Sequence, residues 1–139
     1  MEVMAGVLLI GGMAVTLYTG MSQGFAVVQL ARENLRATQI LQEKMEAIRL
    51  VSWSQLNTSG FVPSSFTAPF YDIEGDLTDG LIYDGQITIT NVPFDESYSS
   101  DMRLVLAELT WTSGNVVRRR SMRTLVSEYG LQNYIYNPE

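Results

Sequence analysis

With 139 residues, nine basic and fifteen acidic side chains and a formal net charge of −6, the chain can form one small domain and an appendage. It contains no cysteine and no histidine, which excludes disulfides, thiolate nucleophiles, most zinc sites and the usual general base. The remaining residues form no catalytic constellation. The composition therefore predicts a protein that is not an enzyme and has no cofactor.

The N-terminal segment is apolar over a membrane-spanning length. Glu2 stands directly before 29 residues, 3–31, that include no Asp, Glu, Lys or Arg. As a helix this segment would extend about 44 Å, which exceeds the ~30 Å hydrocarbon core of a bilayer. A cleaved signal is disfavoured because an acid, and no basic region, precedes the run. A buried core helix is disfavoured because the rest of the chain is too small to cover it.

The helix is predicted to continue to residue 53, because residues 32–53 include no Gly or Pro. Two apolar stripes recur at helical spacing. One stripe comprises Leu41, Met45, Ile48 and Ser52, and the other comprises Ala37, Ile40, Ala47 and Val51. The prediction is one helix over residues 1–53, with a membrane or filament-core half at 1–31 and an amphipathic half at 32–53.

Residues 54–139 are predicted to form a globular head. Gly60, Pro63 and Pro69 mark a connecting loop at 54–80 with room for a short strand. Strand signals follow at 83–92, 102–111 and 116–129, within a sheet at 81–129, and the turn at 112–115 predicts a hairpin. On the second strand the side chains predicted to face the helix are Val105, Ala107, Leu109 and Trp111, with Glu108 and Thr110 on the other face.

The tail at 130–139 is too aromatic for a disordered end. The residues expected to be buried, on the same domain or on a neighbour, are Tyr129, Leu131, Tyr134, Ile135 and Tyr136. Taken together, the elements predict an α+β fold in which a long N-terminal helix packs on a small antiparallel sheet of three to four strands.

An acid followed by a charge-free helix, EVMAGVLLIGGMAV, then an amphipathic helix and a small sheet, resembles class III signal-peptide substrates. These are the type IV pilins and the pseudopilins of type II secretion. The segments ILQEKMEAIRL and LAELTW are most similar to minor pilins and pseudopilins. The motif match covers residues 1–18, and beyond residue 53 only the pattern is similar. In the family four residues normally precede the glutamate, whereas only Met1 does so here, and the family's proline in the apolar half is missing.

The resemblance implies a structural subunit that polymerises through its N-terminal helix. The precursor would lie in the inner membrane, and the product would be an extracellular or periplasmic filament. Implied partners are further copies of the chain, a prepilin peptidase, a motor ATPase and an assembly platform. Two alternatives remain: a single-pass membrane protein with a periplasmic ligand-binding head that does not polymerise, and a minor subunit that primes the filament tip.

Within this resemblance, Glu2 would pair with the N-terminal amine of an adjacent subunit, because an unpaired carboxylate in a bilayer costs several kcal/mol. An acid that simply reaches the interfacial water is the alternative. Gly20 and Gly24 would let helices approach closely, and Gly11 with Gly12 would weaken the helix. We therefore expect weakened helix between residues 11 and 24, against the alternative of an intact glycine-containing membrane helix.

Two charged segments raise the question of ligands. The acids of residues 72–80, namely Asp72, Glu74, Asp76 and Asp79, resemble the start of a calcium loop. The EF-hand pattern fails because the glycine is fourth and the twelfth residue is Tyr83, so a solvated acidic turn is favoured and no metal is predicted. The basic side chains of the last strand are Arg118, Arg119, Arg120 and Arg123.

The arginine run alternates between strand faces and lacks interleaved aromatic residues, so nucleic-acid binding is disfavoured. Residues 72–101 hold eight acids and no base. The split of charge favours pairing between these acids and the arginines of a neighbouring subunit. Asn57, Thr58 and Ser59 form a glycosylation sequon by pattern.

Overall fold

The computed structural model describes residues 2–71 and 80–130, apart from the side chain of Glu2. It divides the chain into two compact units, Met1–Leu35 and Arg36–Glu139. The first helix, α1, spans Glu2–Arg49 and contributes residues to both units.

In the first unit α1 is α-helical without interruption. The helix passes through Gly11, Gly12, Gly20 and Gly24, so the weakening expected between residues 11 and 24 is absent from this single chain. Thr16 and Thr19 donate their side-chain hydroxyls to backbone carbonyls three and four residues earlier, at 2.9–3.1 Å. Two hydroxyls in the apolar segment are thereby satisfied inside the helix itself.

In the second unit α1 buries one face. The buried side chains recur at helical spacing, and they are Ala37, Ile40, Leu41, Met45 and Ile48. Ala47 is exposed and Val51 is only partly buried, so the second predicted stripe is correct only in its first two members. This narrower stripe is the face of α1 that packs in the core.

The helix ends at Arg49, four residues earlier than predicted. The amides of Leu50 and Val51 bond to carbonyls three residues back, which tightens the last turn. Ser52 then adopts an extended conformation and caps a second helix, α2, at Trp53–Asn57. The Gln55 amide donates to Ser52 Oγ at 3.4 Å and the Ser52 amide donates to Gln55 Oε1 at 3.0 Å. This reciprocal capping box explains why residue 52 starts a new helix.

Four antiparallel strands form one sheet in the order β1-β2-β3-β4. They are β1 (Ser65–Pro69), β2 (Ile82–Asn91), β3 (Met102–Ser113) and β4 (Val116–Ser127), with a 3-10 turn at Ser99–Asp101. The strand β1 lies inside the predicted connecting loop. Gly114, with φ of 60°, makes the tight turn between β3 and β4 that the sequence predicts.

The core lies between the sheet and the C-terminal part of α1. Val105, Ala107, Leu109 and Trp111 are all buried there, as predicted for one face of β3. The Trp111 ring lies 5.2 Å from the ring of Tyr83, which is fully buried on β2. A long helix therefore packs on a four-stranded antiparallel sheet, and the predicted α+β fold is confirmed.

Two predictions concern residues 72–79 and 131–139, which lie outside the described residues. They are the acidic turn and the burial of Leu131, Tyr134, Ile135 and Tyr136. Tyr129 is 81% exposed, so its predicted burial on the same domain is wrong, and burial on a neighbour stays a prediction. Tyr129 follows β4 in a turn at the sheet margin, where no described element covers it.

Candidate assembly surfaces

The first surface is the outside of α1 in the first unit, called here the apolar helix surface. Its large side chains are exposed all around the helix, with Leu17 at 68% and Phe25 at 70%. The other large apolar members are Val3, Met4, Val7, Leu8, Leu9, Ile10, Met13, Val15, Tyr18, Met21, Val27 and Val28. Monomeric soluble proteins rarely expose so much contiguous apolar area.

By length and composition, one helix among the described residues, Val3–Arg49, could cross a membrane. None of the most apolar stretch of that helix is buried inside the structure. A helix that is apolar all around is suited to lipid or to other apolar helices. The apolar helix surface is therefore compatible with membrane anchoring.

The glycines of this helix have open surroundings. A Cβ added at Gly11, Gly12, Gly20 or Gly24 would meet no atom of the described residues within 4 Å, leaving aside the helix's own nearby backbone. Packing among the described residues therefore gives no reason for glycine at these positions. Gly20 and Gly24 lie about one helical turn apart, a spacing that permits close approach of a second helix. Glu2 begins α1, but its side chain lies outside the described residues.

The predicted arginine cluster is divided between the two faces of β4. Arg118 and Arg120 stand opposite Trp111 and Leu109, which face the core, and opposed residues share one face of an antiparallel pair. Arg119 and Arg123 stand opposite Thr110 and Leu106 on the outer face. The alternation predicted from the sequence is therefore confirmed, and the four side chains do not form a single patch.

The surroundings of these arginines also differ. Arg119 Nε lies 3.3 Å from Glu108 Oε1 within the same chain. Arg118 Nε is buried and has no hydrogen-bond partner among the residues that the structure describes. Arg120 and Arg123 are exposed. The Arg119 side chain is also 69% exposed but is paired with Glu108, so Arg120 and Arg123 are the exposed arginines of this set without an ion pair among the described residues.

The sequon residue Asn57 is engaged inside the fold. Its Nδ2 donates to the Trp53 carbonyl at 2.9 Å, and its Oδ1 accepts a hydrogen bond from Arg103 Nε at 2.9 Å. The Arg103 guanidinium also lies 5.0 Å from the centroid of the Trp53 ring. The nitrogen that would carry a glycan is thus bonded within α2, and the amide oxygen of the same side chain joins α2 to β3. Sequence reasoning missed this cluster because its partners are 46 residues apart.

A groove on the outer face of the sheet, called here the outer groove, has a volume of 560 Å³. It is lined by Pro93, Phe94, Leu104, Arg123, Thr124 and Leu125. Phe94 is 42% exposed and Leu125 is 46% exposed. Sequence reasoning did not identify this groove, because Pro93 and Phe94 come from the connection between β2 and β3, while the other lining residues come from β3 and β4.

Among the described residues no group of three or more carboxylates forms a candidate metal site. The partial calcium pattern of Asp72, Glu74, Asp76 and Asp79 lies outside those residues. The apolar helix surface, the exposed arginines of β4 and the outer groove are the candidate assembly surfaces of the described residues. Comparison of the chain with protein-family models, with curated proteins and with solved structures finds no match.

Proposed function

We propose that the chain is a structural subunit of a type IV pilus-like or pseudopilus filament, which polymerises through residues 3–31 of α1. The observation that carries the proposal is the apolar helix surface, which is exposed around the whole helix. Apolar area is stabilised by about 25 cal/mol for each Å² removed from water. In this proposal lipid covers the helix before assembly, and other copies of the helix cover it in the filament.

The proposed assembly step is transfer of the helix from the inner membrane into a bundle of identical helices. Lipid and apolar side chains are similar environments, so the transfer depends on close packing and on polar pairing. The open glycine positions at 20 and 24 favour close packing. Glu2 would supply the polar pairing by meeting a cation of an adjacent copy, because an unpaired carboxylate in an apolar environment costs several kcal/mol. A prepilin peptidase, a motor ATPase and an assembly platform would serve this step.

The second unit would be displayed on the filament surface. Arg120 and Arg123 are exposed on β4, and residues 72–101 carry eight acids without a base. Contacts between these charges on neighbouring copies would add orientation to the otherwise non-directional apolar contact. Neither nucleic acid nor a metal is part of the proposal.

The test is electron microscopy of filaments sheared from cells that express the full chain with its assembly machinery. Uniform filaments that contain the chain throughout are expected. Glu2→Ala should lower their yield about tenfold or more, because the pairing carboxylate is lost. Gln42→Ala, at an exposed position of α1 in the second unit, is the control and should leave the yield unchanged.

Three results would contradict the proposal. A chain that stays in the membrane and gives no filament would favour the single-pass protein with a ligand-binding head. Immunogold label confined to filament tips would favour the minor priming subunit. A normal filament yield from Glu2→Ala would remove the assembly role of the carboxylate.

A further inference from the structure

We propose that residues 131–139 dock in the outer groove of their own chain. The inference concerns the second unit and holds whether or not the chain forms filaments. It assigns a specific occupant to an apolar groove for which the sequence suggested none.

The outer groove lies on a face of the sheet that is mainly polar but also carries the exposed side chains of Leu106 and Val117. Along this face β2 presents Gln86, Thr88 and Thr90, and the middle of β3 presents Glu108 and Thr110. At the groove the face becomes apolar, with Leu104 directly opposite Leu125. A groove lined by such residues is stabilised when an apolar segment removes it from water.

The groove wall formed by Phe94 is held in place by hydrogen bonds. Ser99 Oγ donates to the Phe94 carbonyl at 2.8 Å and accepts a hydrogen bond from the Glu96 amide at 3.1 Å. These two bonds fold the connection between β2 and β3 against itself. They restrain the backbone that carries Phe94, which lowers the ordering cost of binding.

The chain leaves β4 beside the groove. The Glu128 amide donates to the Asp101 carbonyl at 2.8 Å, and the Gly130 amide donates to the Ser127 carbonyl at 3.2 Å. The second bond closes a turn that reverses the chain just after β4. Leu125 lies only two residues, about 7 Å, before Ser127. The nine residues 131–139 can extend about 30 Å, so they reach the whole groove.

The chemistry of the segment matches that of the groove. Leu131, Tyr134, Ile135 and Tyr136 supply apolar surface, and the tyrosines keep a hydroxyl that can remain in water. A segment tethered at the groove also binds at a high effective concentration, so its own chain is favoured over a second copy.

The test uses the full chain in detergent micelles. Because the chain has no native cysteine, only the introduced thiols can react. Leu125→Cys combined with Ile135→Cys places one thiol in the groove and one in the segment. Mild oxidation should form an intramolecular disulfide at a rate independent of protein concentration. The control pairs Ile135→Cys with Ser65→Cys, an exposed outer-face position on the opposite edge strand, three strand spacings or about 14 Å across the sheet.

The groove pair should cross-link about tenfold faster than the control pair, because the disulfide requires Cα atoms within about 7 Å. Equal rates would overturn the proposal. Disulfide-linked dimers that increase with protein concentration would also overturn it, since the segment would then occupy a second copy.

A single cysteine gives an independent measurement. In Leu125→Cys, deletion of residues 131–139 should raise the rate of maleimide labelling about fivefold or more, because reaction requires an accessible thiol. Labelling of Ser65→Cys should not change with the same deletion. An unchanged rate at position 125 would overturn the proposal even if the cysteine pair failed to fold.

Discussion

At the scale of single residues, Gly85 is required by a ring that lies on it. A Cβ at this position would overlap the Phe66 ring, with Phe66 Cζ as the nearest atom. The same ring receives Lys44 Nζ at 4.7 Å from its centroid. Gly85 therefore allows Phe66, the one aromatic residue of β1, to pack over β2.

We predict that Gly85→Ala lowers the free energy of unfolding by about 1–3 kcal/mol, because the ring must move and β1 loses its packing. Denaturant unfolding of the full chain in detergent, followed by tryptophan fluorescence, measures the change. The control repeats the substitution in a Phe66→Ala background, where no ring obstructs the new methyl group. A similar loss in both backgrounds would contradict the proposed overlap.

Asn57 offers a second prediction at this scale. Asn57→Ala removes the hydrogen bonds to Trp53 and Arg103, so it should lower the free energy of unfolding by about 1 kcal/mol. Ser59→Ala is the matched control, because it removes the sequon and leaves both hydrogen bonds in place. If a glycan on Asn57 were responsible for the stability, both variants would lose the mass of the glycan in mass spectrometry. Both would then show the same loss in the free energy of unfolding.

The residues that could be predicted from the sequence are those with a local periodic signal. Alternation along β3 was sufficient to assign Val105 and Trp111 to the core face. Gly85 and Arg103 could not be assigned in this way, because each depends on a partner from a distant element. Phe66 is 19 residues from Gly85, and no periodic pattern joins the two.

At the scale of elements, the sequence predicts the existence of α1 well and its end less well. Helical spacing identified Leu41, Met45 and Ile48. The end of α1 at Arg49 was harder to predict, because Ser52 caps α2 and does not continue α1. The S-x-x-Q capping box at Ser52 and Gln55 was a readable signal for a new helix. The strand β1 carried too few residues for a periodic pattern, and its place in the sheet depends on pairing with β2.

The apolar helix surface of α1 is compatible with a membrane, and a single introduced charge tests whether it spans one. Leu17→Arg places a charge near the middle of the apolar helix surface and should cost about 2.5–3.5 kcal/mol of insertion free energy. We therefore expect the variant to shift from the membrane pellet to the soluble or degraded fraction after carbonate extraction. Gln42→Arg, in the amphipathic part of α1, is the control and should remain in the pellet. Retention of Leu17→Arg in the membrane would argue against a spanning helix.

At the scale of the whole molecule, the fold class followed from the order of elements. A long helix and three strand signals are satisfied by few arrangements other than a helix packed on an antiparallel sheet. The assembly surfaces were predicted less completely. The apolar helix surface is continuous in sequence and was recognised, whereas the outer groove is assembled from three segments and was not.

The charge distribution leads to a prediction about the filament. Arg120 and Arg123 are exposed, while Arg119 already has Glu108 as a partner at 3.3 Å. If these two arginines meet acids of a neighbouring copy, sheared filaments should disassemble as the salt concentration rises. The contacts would be screened strongly at about 1 M salt, where the Debye length falls to about 3 Å. Turbidity and sedimentation measure the fraction that remains assembled.

The double variant Arg120→Gln with Arg123→Gln should disassemble at a lower salt concentration than the unaltered chain, because two intersubunit charges are missing. Arg49→Gln is the matched control, since Arg49 NH1 is already paired with Glu46 on its own helix at 3.0 Å. The control should follow the unaltered chain, because an exposed pair of this kind contributes less than about 1 kcal/mol. Filaments with the same salt dependence in all three chains would show that apolar packing and Glu2 suffice for assembly. The arginines of β4 would then serve to keep an edge strand from pairing with unrelated chains.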